Sequence, residues 1–282
     1  MTQLASIAAL PLPKSPLTAE PVCERRRYRT IWISDVHLGT RGCNAELLID
    51  FLDRTDSQTM YLVGDMIDGW RLKKKFHWPQ SHNDVVWRLM KRAKRGTRMV
   101  FIPGNHDEMF RPFAGMRFGG IAIKRKTIHT TADGRRLLVI HGDEFDAVTM
   151  AQPWLAHVGD TAYTLLMGVN RWLNVARRKL GMPYWSLSKH AKAKVKNAVA
   201  FVSRFEEVVA KAADSRGVDG VVCGHIHTAE MREIGGVTYY NDGDWVESCT
   251  ALVEHFDGRM EILNWAEEVA ARTHKLPVAL AA

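Results

Sequence analysis

FIPGNHDEMF, residues 101–110, runs an apolar stretch into a turn that carries an amide, an imidazole and a carboxylate in succession. Met99-Val100-Phe101-Ile102 reads as a buried strand, and Pro103-Gly104 ends it and permits a tight turn. Asn105, His106 and Asp107 then stand at the strand's carboxyl end. One such turn carries little weight, because Asn and Asp favour turns for local backbone reasons. Four further apolar runs end the same way. WISDVH closes on Asp35 and His37, YLVGD on Gly64-Asp65 with Asp68 following, LLVIHGD on His141-Gly142-Asp143, and VVCGHIH on His225 and His227.

Working outward, short β-rich runs alternate with helical ones from about Tyr28. RTIWIS, TMYLV and TRMVFI are strands. NAELLIDFLDR is a helix with Asn44 at its N-cap. Ser81-x-x-Asp84 has the spacing of a capping box, and Val85, Val86, Leu89, Met90 and Ala93 form one apolar face behind it. Two hairpins are expected, turning at Asp133-Gly134 and Asp257-Gly258. This order predicts an α/β fold. In layered α/β folds, sites form outside the carboxyl ends of the strands. Residues two apart in extended chain project to one side, so Asp35 and His37 are expected to converge, as are His225 and His227.

The donor set defines the chemistry. Carboxylate, amide oxygen and imidazole without thiolate suit Mn, Fe or Zn. Seven ligand candidates (Asp35, His37, Asp65, Asn105, His141, His225, His227) exceed the needs of one ion and match two ions sharing a carboxylate. Ion pairs roughly 3.5–4 Å apart serve phosphoryl chemistry. Asp68, Asp107 and Asp143 are read as supporting carboxylates. His82, His129, His157, His255 and His274 lack partner motifs and are read as surface or capping residues, and His77 as solvated.

The ordered set DxH, GDxxD, GNHD, HGD and GHxH resembles the calcineurin-like metallophosphoesterases over roughly residues 28–265. The resemblance implies a four-layer β-sandwich flanked by helices. It implies one ion held by Asp35, His37, Asp65 and His227, and a second held by Asp65, Asn105, His141 and His225. It also implies that His106 stabilises the transition state or protonates the leaving oxygen, with Asp107 orienting it. Mn is the ion expected first.

The chain of 282 residues is 46% hydrophobic and 25% charged, with a net charge of +8. Between Thr161 and Phe205 stand nine Lys and Arg residues and no Asp or Glu, so the rest of the chain carries 8 − 9 = −1. This segment reads as two amphipathic helices inserted into the core, one striped by Leu155 through Ala176 and one by Val195 through Val209. Trp154, Trp172, Tyr184 and Trp185 are interleaved with its cations, which suits a surface meeting both phosphate and hydrocarbon. Arg177, Arg178, Lys189, Lys192 and Lys196 are the expected substrate-binding cations.

The insertion resembles the cap of the UDP-2,3-diacylglucosamine pyrophosphatases of lipid A synthesis. That resemblance implies a lipid-linked sugar-nucleotide substrate, and the cap's mixture of cations and aromatic residues suggests peripheral contact with the cytoplasmic face of the inner membrane. In those enzymes an Arg follows the motif's Asn, where this chain has His106. A phosphatase or phosphodiesterase of another lipid-linked or nucleotide phosphoester is the alternative. No nucleic-acid-binding module is recognisable. A metal-free scaffold would have no use for seven convergent donors.

Residues 1–27 read as a disordered leader, 28–146 and 215–265 as the two parts of the core, 147–214 as the basic cap, and 266–282 as a loose tail. The amino terminus lacks a basic n-region, and Pro11 and Pro13 interrupt its apolar part, which argues against a secretion signal. No run of about 18 apolar residues predicts a membrane span. Four cysteines without a CxxC pair fit a reduced, cytoplasmic setting.

Overall fold

The computed structural model describes residues 25–145, 177 and 196–275. Two sheets carry the fold. The first has seven strands in the order β12-β11-β1-β2-β3-β5-β4, and the second has five in the order β6-β7-β8-β10-β9. In the first sheet β1 (Arg26–Ile33), β2 (Thr55–Val63), β3 (Arg98–Ile102) and β5 (Ile121–Ile123) run parallel. The hairpin of β11 (Thr250–Glu254) and β12 (Met260–Asn264) adds antiparallel to β1, and β4 (Arg117–Phe118) closes the far edge. In the second sheet β7 (Arg136–Val139), β8 (Gly220–Cys223) and β10 (Val237–Asn241) are parallel. β6 (Thr127–Thr130) and β9 (Glu230–Ile234) are its antiparallel edges. Both predicted hairpin turns, at Asp133-Gly134 and Asp257-Gly258, join paired strands.

Alternation along the strands sorts the core into layers. Trp32, Tyr61 and Val100 lie side by side and face the second sheet, where Val139, Val222 and Tyr240 meet them. Their neighbours Ile31, Met60 and Met99 face the other way, onto the helices. There α1 (Ala45–Arg54) buries Leu48, Phe51 and Leu52, and α3 (Gln80–Lys94) buries Val85 and Leu89. On the second sheet's outer face α4 (Lys196–Asp214) buries Phe205, Val209, Ala210 and Ala213. Helix, sheet, sheet and helix make the four layers that the family resemblance implies. Phe51 packs between Trp245 and Trp265 at ring distances of 5.2 and 5.1 Å. Truncating it to Ala is expected to cost about 3–5 kcal/mol.

Local expectations fail where tertiary partners intervene. Asn44 precedes α1, but its side chain accepts from no helix N–H and its Nδ2 donates to the Val246 carbonyl (2.7 Å). Pro79 caps α3, and Asp84 accepts from Gln80 (2.9 Å), so no capping box forms. Val86 is exposed. β1 begins at Arg26, inside the expected leader. The expected loose tail begins with a helix instead: α5 (Trp265–Lys275) buries Trp265 and packs Ala266 and Val269 on the α1 layer. α4, assigned to the cap, is a layer of the core in its second half. The remainder of the cap, including Arg178, Lys189 and Lys192 and the first apolar stripe, lies outside the described residues, as does most of the leader. No helix among the described residues is long and apolar enough to cross a membrane. Cys43, Cys223 and Cys249 are free thiols.

Candidate metal centre

The carboxyl ends of β1, β2, β3, β7 and β8 lie on one side of the sandwich, and all seven ligand candidates stand there. Backbone hydrogen bonds lace the loops after β1 and β2: Asp35 N–H donates to Gly64 O (3.1 Å), His37 N–H to Asp65 O (2.9 Å), and Leu38 N–H to Met66 O (2.9 Å). This lacing puts the donors in an unexpected backbone state. Asp35, His37, Asp65, His225 and His227 have φ of 50°, 53°, 51°, 71° and 54°. Among the described non-glycine residues only Cys249 shares that left-handed region. Asp35 and His37 therefore converge through paired left-handed turns, not through the alternation of extended chain. Each such residue costs about 1–3 kcal/mol, a strain that concentrates at functional sites.

The donors form two adjoining groups. Asp35 Oδ1 lies 3.1 Å from His227 Nε2 and 3.9 Å from His37 Nε2. His141 Nε2 lies 3.4 Å from Asp65 Oδ2 and 3.3 Å from Asn105 Oδ1. Asp35, Asp65 and His141 also offer ligand atoms within 4.8 Å of one another, which joins the groups. His225 donates its backbone N–H to Asp35 Oδ2 (2.9 Å), and its ring centroid is 5.2 Å from that of His141. Close approach requires glycine: a Cβ on Gly104 would collide with Asp65 Oδ1 and come within 2.6 Å of His141 Nε2. One on Gly224 would strike Asp35 Oδ2.

Three observations test whether divalent ions fit. Metal–ligand bonds of about 2.0–2.2 Å place neighbouring ligand atoms roughly 3–3.5 Å apart, the spacing of Asp35 with His227 and of His141 with Asp65 and Asn105, while His37 stands slightly farther from Asp35. Next, His141 Nδ1 lies 2.8 Å from the Val63 carbonyl, an acceptor, so Nδ1 carries a proton. In the neutral ring this turns the Nε2 lone pair toward Asp65 and Asn105, and acceptors then face one another with no donor between them. Asp35 Oδ1 and His37 Nε2 are likewise buried without a hydrogen bond among the described residues. Finally, the charges demand a cation. Burial opposes it, yet Asp68, Asp65 and Asp35 raise His37 to about 9. Asp65 and Asp35 likewise hold His141 well above its usual value against its burial. Burial would lift Asp35 and Asp65, but His227 and His141 respectively hold them below the ordinary carboxylate range. The cluster fits a dinuclear divalent centre.

His106 stands beside this cluster. Its Nδ1 is 3.1 Å from Asp68 Oδ1, its ring packs against Trp70 (4.2 Å between centroids), and its backbone N–H donates to Asp65 Oδ1 (2.8 Å). The resemblance assigned the orienting carboxylate to Asp107. In the structure Asp107 instead accepts from the backbone N–H groups of Gly104 (2.7 Å), Met66 (2.8 Å) and Ile67 (3.3 Å). Burial and nearby Asp65 lift its carboxyl to about 7. Asp107 ties two ligand loops together, and Asp68 is the carboxylate beside the imidazole, within ion-pair distance of Nδ1 but without a hydrogen bond to it in this geometry. Asp68 also lies 3.4 Å from His37 Nδ1 and caps α2 (Gly69–Lys74) by accepting from Arg71 N–H (2.8 Å). Asp143 pairs with Arg111 (2.5 Å).

Sequence reasoning missed the loop 241–247. Asn241 Nδ2 donates to Gly224 O (2.8 Å), Asp242 accepts from Ser34 Oγ (2.7 Å), and Trp245 N–H donates to Asp35 O (3.1 Å). The visible signal was an Asn-Asp-Gly-Asp run directly after an apolar strand. Two histidines read as surface residues are buried. His82 accepts from Gly39 N–H (3.0 Å), and His129 sits 2.9 Å from Glu254. Of the expected substrate-binding cations, Arg177 is half-buried in helical backbone, and Lys196 opens α4.

No curated protein matches the sequence. Among solved structures, the chain is similar to zinc-complexed Vps29 from Entamoeba histolytica. That match has 12% identity, 84% of this chain and 98% of that one covered, and a TM-score of 0.40. It is also similar to phosphopantetheinyl hydrolase from Mycobacterium tuberculosis, with 14% identity, coverages of 80% and 92%, and a TM-score of 0.39. A predicted phosphoesterase from Streptococcus pneumoniae has 13% identity, coverages of 84% and 97%, and a TM-score of 0.34. Residues 28–229 match the family of calcineurin-like phosphoesterases. The chain belongs to that family and is a metal-dependent phosphoester hydrolase.

Proposed function

We propose that the chain hydrolyses the pyrophosphate of UDP-2,3-diacylglucosamine, giving UMP and a lipid-linked sugar 1-phosphate. The observation that carries the lipid part lies beside the metal centre. Past Asp68 and Trp70 the chain runs through Lys73-Lys74-Lys75 into Phe76, which is 78% exposed, and past His106 it exposes Met109 and Phe113. Cations and bare hydrocarbon next to a phosphoryl site suit a substrate that presents both phosphate and acyl chains. The basic run between Thr161 and Phe205 supports the same reading, with Arg177, Arg178, Lys189, Lys192 and Lys196 as phosphate-binding cations and a peripheral seat on the inner membrane's cytoplasmic face.

Asp35, His37, Asp65 and His227 would hold one ion, and Asp65, Asn105, His141 and His225 the other, with Mn the first to test. Two such ions supply Lewis acidity at the phosphoryl oxygens and lower the pKa of water. This chain's residues do the rest. Asp68 lies beside His106 Nδ1, so Nε2 faces the substrate and gives its proton to the phosphate oxygen that departs as the P–O bond breaks. Trp70 limits the ring's rotation, and Asp107 keeps the loops that carry Asp65 and Asn105 in register.

A second reading, a phosphatase or phosphodiesterase of another lipid-linked or nucleotide phosphoester, is favoured by His106 itself, which stands where the lipid A enzymes carry Arg. Hydrolysis of UDP-2,3-diacylglucosamine by Mn-loaded protein separates the two. UMP release that is lost in His106→Ala supports the first reading; cleavage of a simple phosphodiester without UMP release leaves the second. Neutralising Lys189, Lys192 and Lys196 together should weaken the lipid substrate far more than a small phosphodiester, and equal effects would remove the cap from the account.

A further inference from the structure

At the opposite end of the parallel strands a pocket of about 210 Å³ opens between the start of β1, the start of β2 and the carboxyl end of α3. Eight residues of β1, at about 3.3 Å each, put it roughly 25 Å from the metal centre. Arg25, Arg27, Arg92 and Arg95 line it against a single described carboxylate, Asp56, leaving a local charge of 4 − 1 = +3. One oxygen of Asp56 is engaged by the Ser57 N–H (3.1 Å). Arg25, Arg27 and Arg95 make no ion pair among the described residues.

Two buried groups in the wall turn this basic surface into a built site. Arg92 is only 6% exposed. Its Nη2 is fixed by the carbonyls of Leu52 and Thr55 (2.5 Å each), while Nη1 has no hydrogen-bond partner. Ser57 Oγ is buried and unpartnered as well. An unsatisfied buried donor costs about 1–3 kcal/mol, and more when charged. Burial leads in pulling Arg92 down to about 10, with Arg25 and Arg95 adding repulsion against the attraction of Asp56 and Asp53, so the pocket's positive charge is not fully balanced by negative charge. The last turn of α3 does not provide it, because its carbonyls accept from Arg95, Gly96 and Thr97 N–H groups.

We propose that this pocket binds a phosphate dianion, either inorganic phosphate or the phosphate of a small phosphomonoester. Arg92 adds charge beneath the floor, Ser57 Oγ, buried as it stands, turns to the ligand by rotation about χ1, and Arg25, Arg27 and Arg95 close over the oxygens. A tetrahedral dianion accepts from several guanidinium N–H groups and a hydroxyl at once. Phe256 is half-exposed at the rim and gives a ring on which a base could stack. The site is remote from the chemistry and does not depend on which phosphoester the metal centre cleaves.

The test is a titration of zinc-loaded full-length protein with inorganic phosphate, followed by amide NMR. Ser57, Gly96 and Thr97 report the pocket, whereas Gly64, Gly104 and His106 report the metal centre. Saturable shifts at the first set are expected. Arg25→Ala/Arg95→Ala should weaken them about 100-fold and leave the second set unchanged. These two side chains are exposed, so the variant spares the buried Arg92 anchor, and Ser57→Ala gives an independent loss. The absence of saturable shifts, equal shifts in the variant, or equal shifts with chloride at matched ionic strength would each overturn the proposal. UMP in place of phosphate identifies the source. Tighter binding that Phe256→Ala abolishes marks a nucleotide, and identical binding marks the bare phosphate group.

Discussion

Asp68→Asn is the most informative single change near the metal centre. The carboxylate contacts His106 Nδ1 (3.1 Å) and His37 Nδ1 (3.4 Å), and it caps α2 through Arg71 N–H. Asn keeps the size and nearly all of the capping, since the two residues rank alike at N-caps. It removes the charge and puts an N–H₂ where an acceptor stood for at least one imidazole. Replacing a carboxylate that orients a metal-site histidine typically costs 10–100-fold in activity or metal affinity. That corresponds to about 1.4–2.7 kcal/mol. The assay is kcat on a chromogenic phosphodiester with Mn, alongside metal content and a thermal melt. The expected outcome is a 10–100-fold loss of kcat with folding stability changed by under about 1 kcal/mol. Asp68→Ala should add the lost cap, about 1 kcal/mol of stability. Wild-type kcat in Asp68→Asn would refute the orienting role, and a loss of activity that tracks unfolding would reduce Asp68 to a helix cap.

Further changes probe other parts of the structure. His106→Ala should lower turnover by about 10²–10⁴-fold with metal content retained; metal lost together with activity would make His106 a ligand. Gly104→Ala should disrupt the centre, because the new methyl meets Asp65 Oδ1 and His141 Nε2, so metal content and activity should fall together. Glu254 accepts from Arg29 (2.6 Å), Thr30 (2.7 Å) and Ala132 N–H (2.7 Å) and contacts His129 (2.9 Å). Burial opposes it, but His129 first, then Thr30 and the Ala132 N–H, hold its carboxyl below the ordinary glutamate value. A lowered carboxyl stabilises above its unfolded value and loses that contribution as pH falls through the folded one. Glu254→Gln should therefore cost about 2 kcal/mol at pH 7, and the gap to wild type should close below pH 4.5; a gap constant with pH would contradict the assignment.

The strand ends were legible because apolar runs, Pro-Gly and Gly-Asp punctuation and ligand-type residues coincide at each of them. What stayed hidden depends on distant partners. The left-handed backbone at Asp35 and His37 is imposed by hydrogen bonds to Gly64 and Asp65, which local spacing does not reveal. The exchange of roles between Asp68 and Asp107 follows from how two loops meet: both carboxylates trail a motif, and only the packed geometry aims one at His106 and the other at backbone. His82 and His129 are buried by contacts with Gly39 and Glu254, 43 and 125 residues away in the chain. The helix at Trp265–Lys275 was within reach, since Glu267 and Glu268 open it and Trp265 and Val269 share a face.

The central claim is that Asp35, Asp65 and their histidine partners hold two ions on which hydrolysis depends. Metal analysis of the full-length chain, saturated with Mn and desalted, tests it most directly, with phosphodiester hydrolysis followed before and after chelation. The account predicts about two ions per chain, fewer in Asp65→Asn, and activity that disappears with chelator and returns with Mn. A chain that binds no more metal than Asp65→Asn, or that hydrolyses the diester undiminished after chelation, would contradict it.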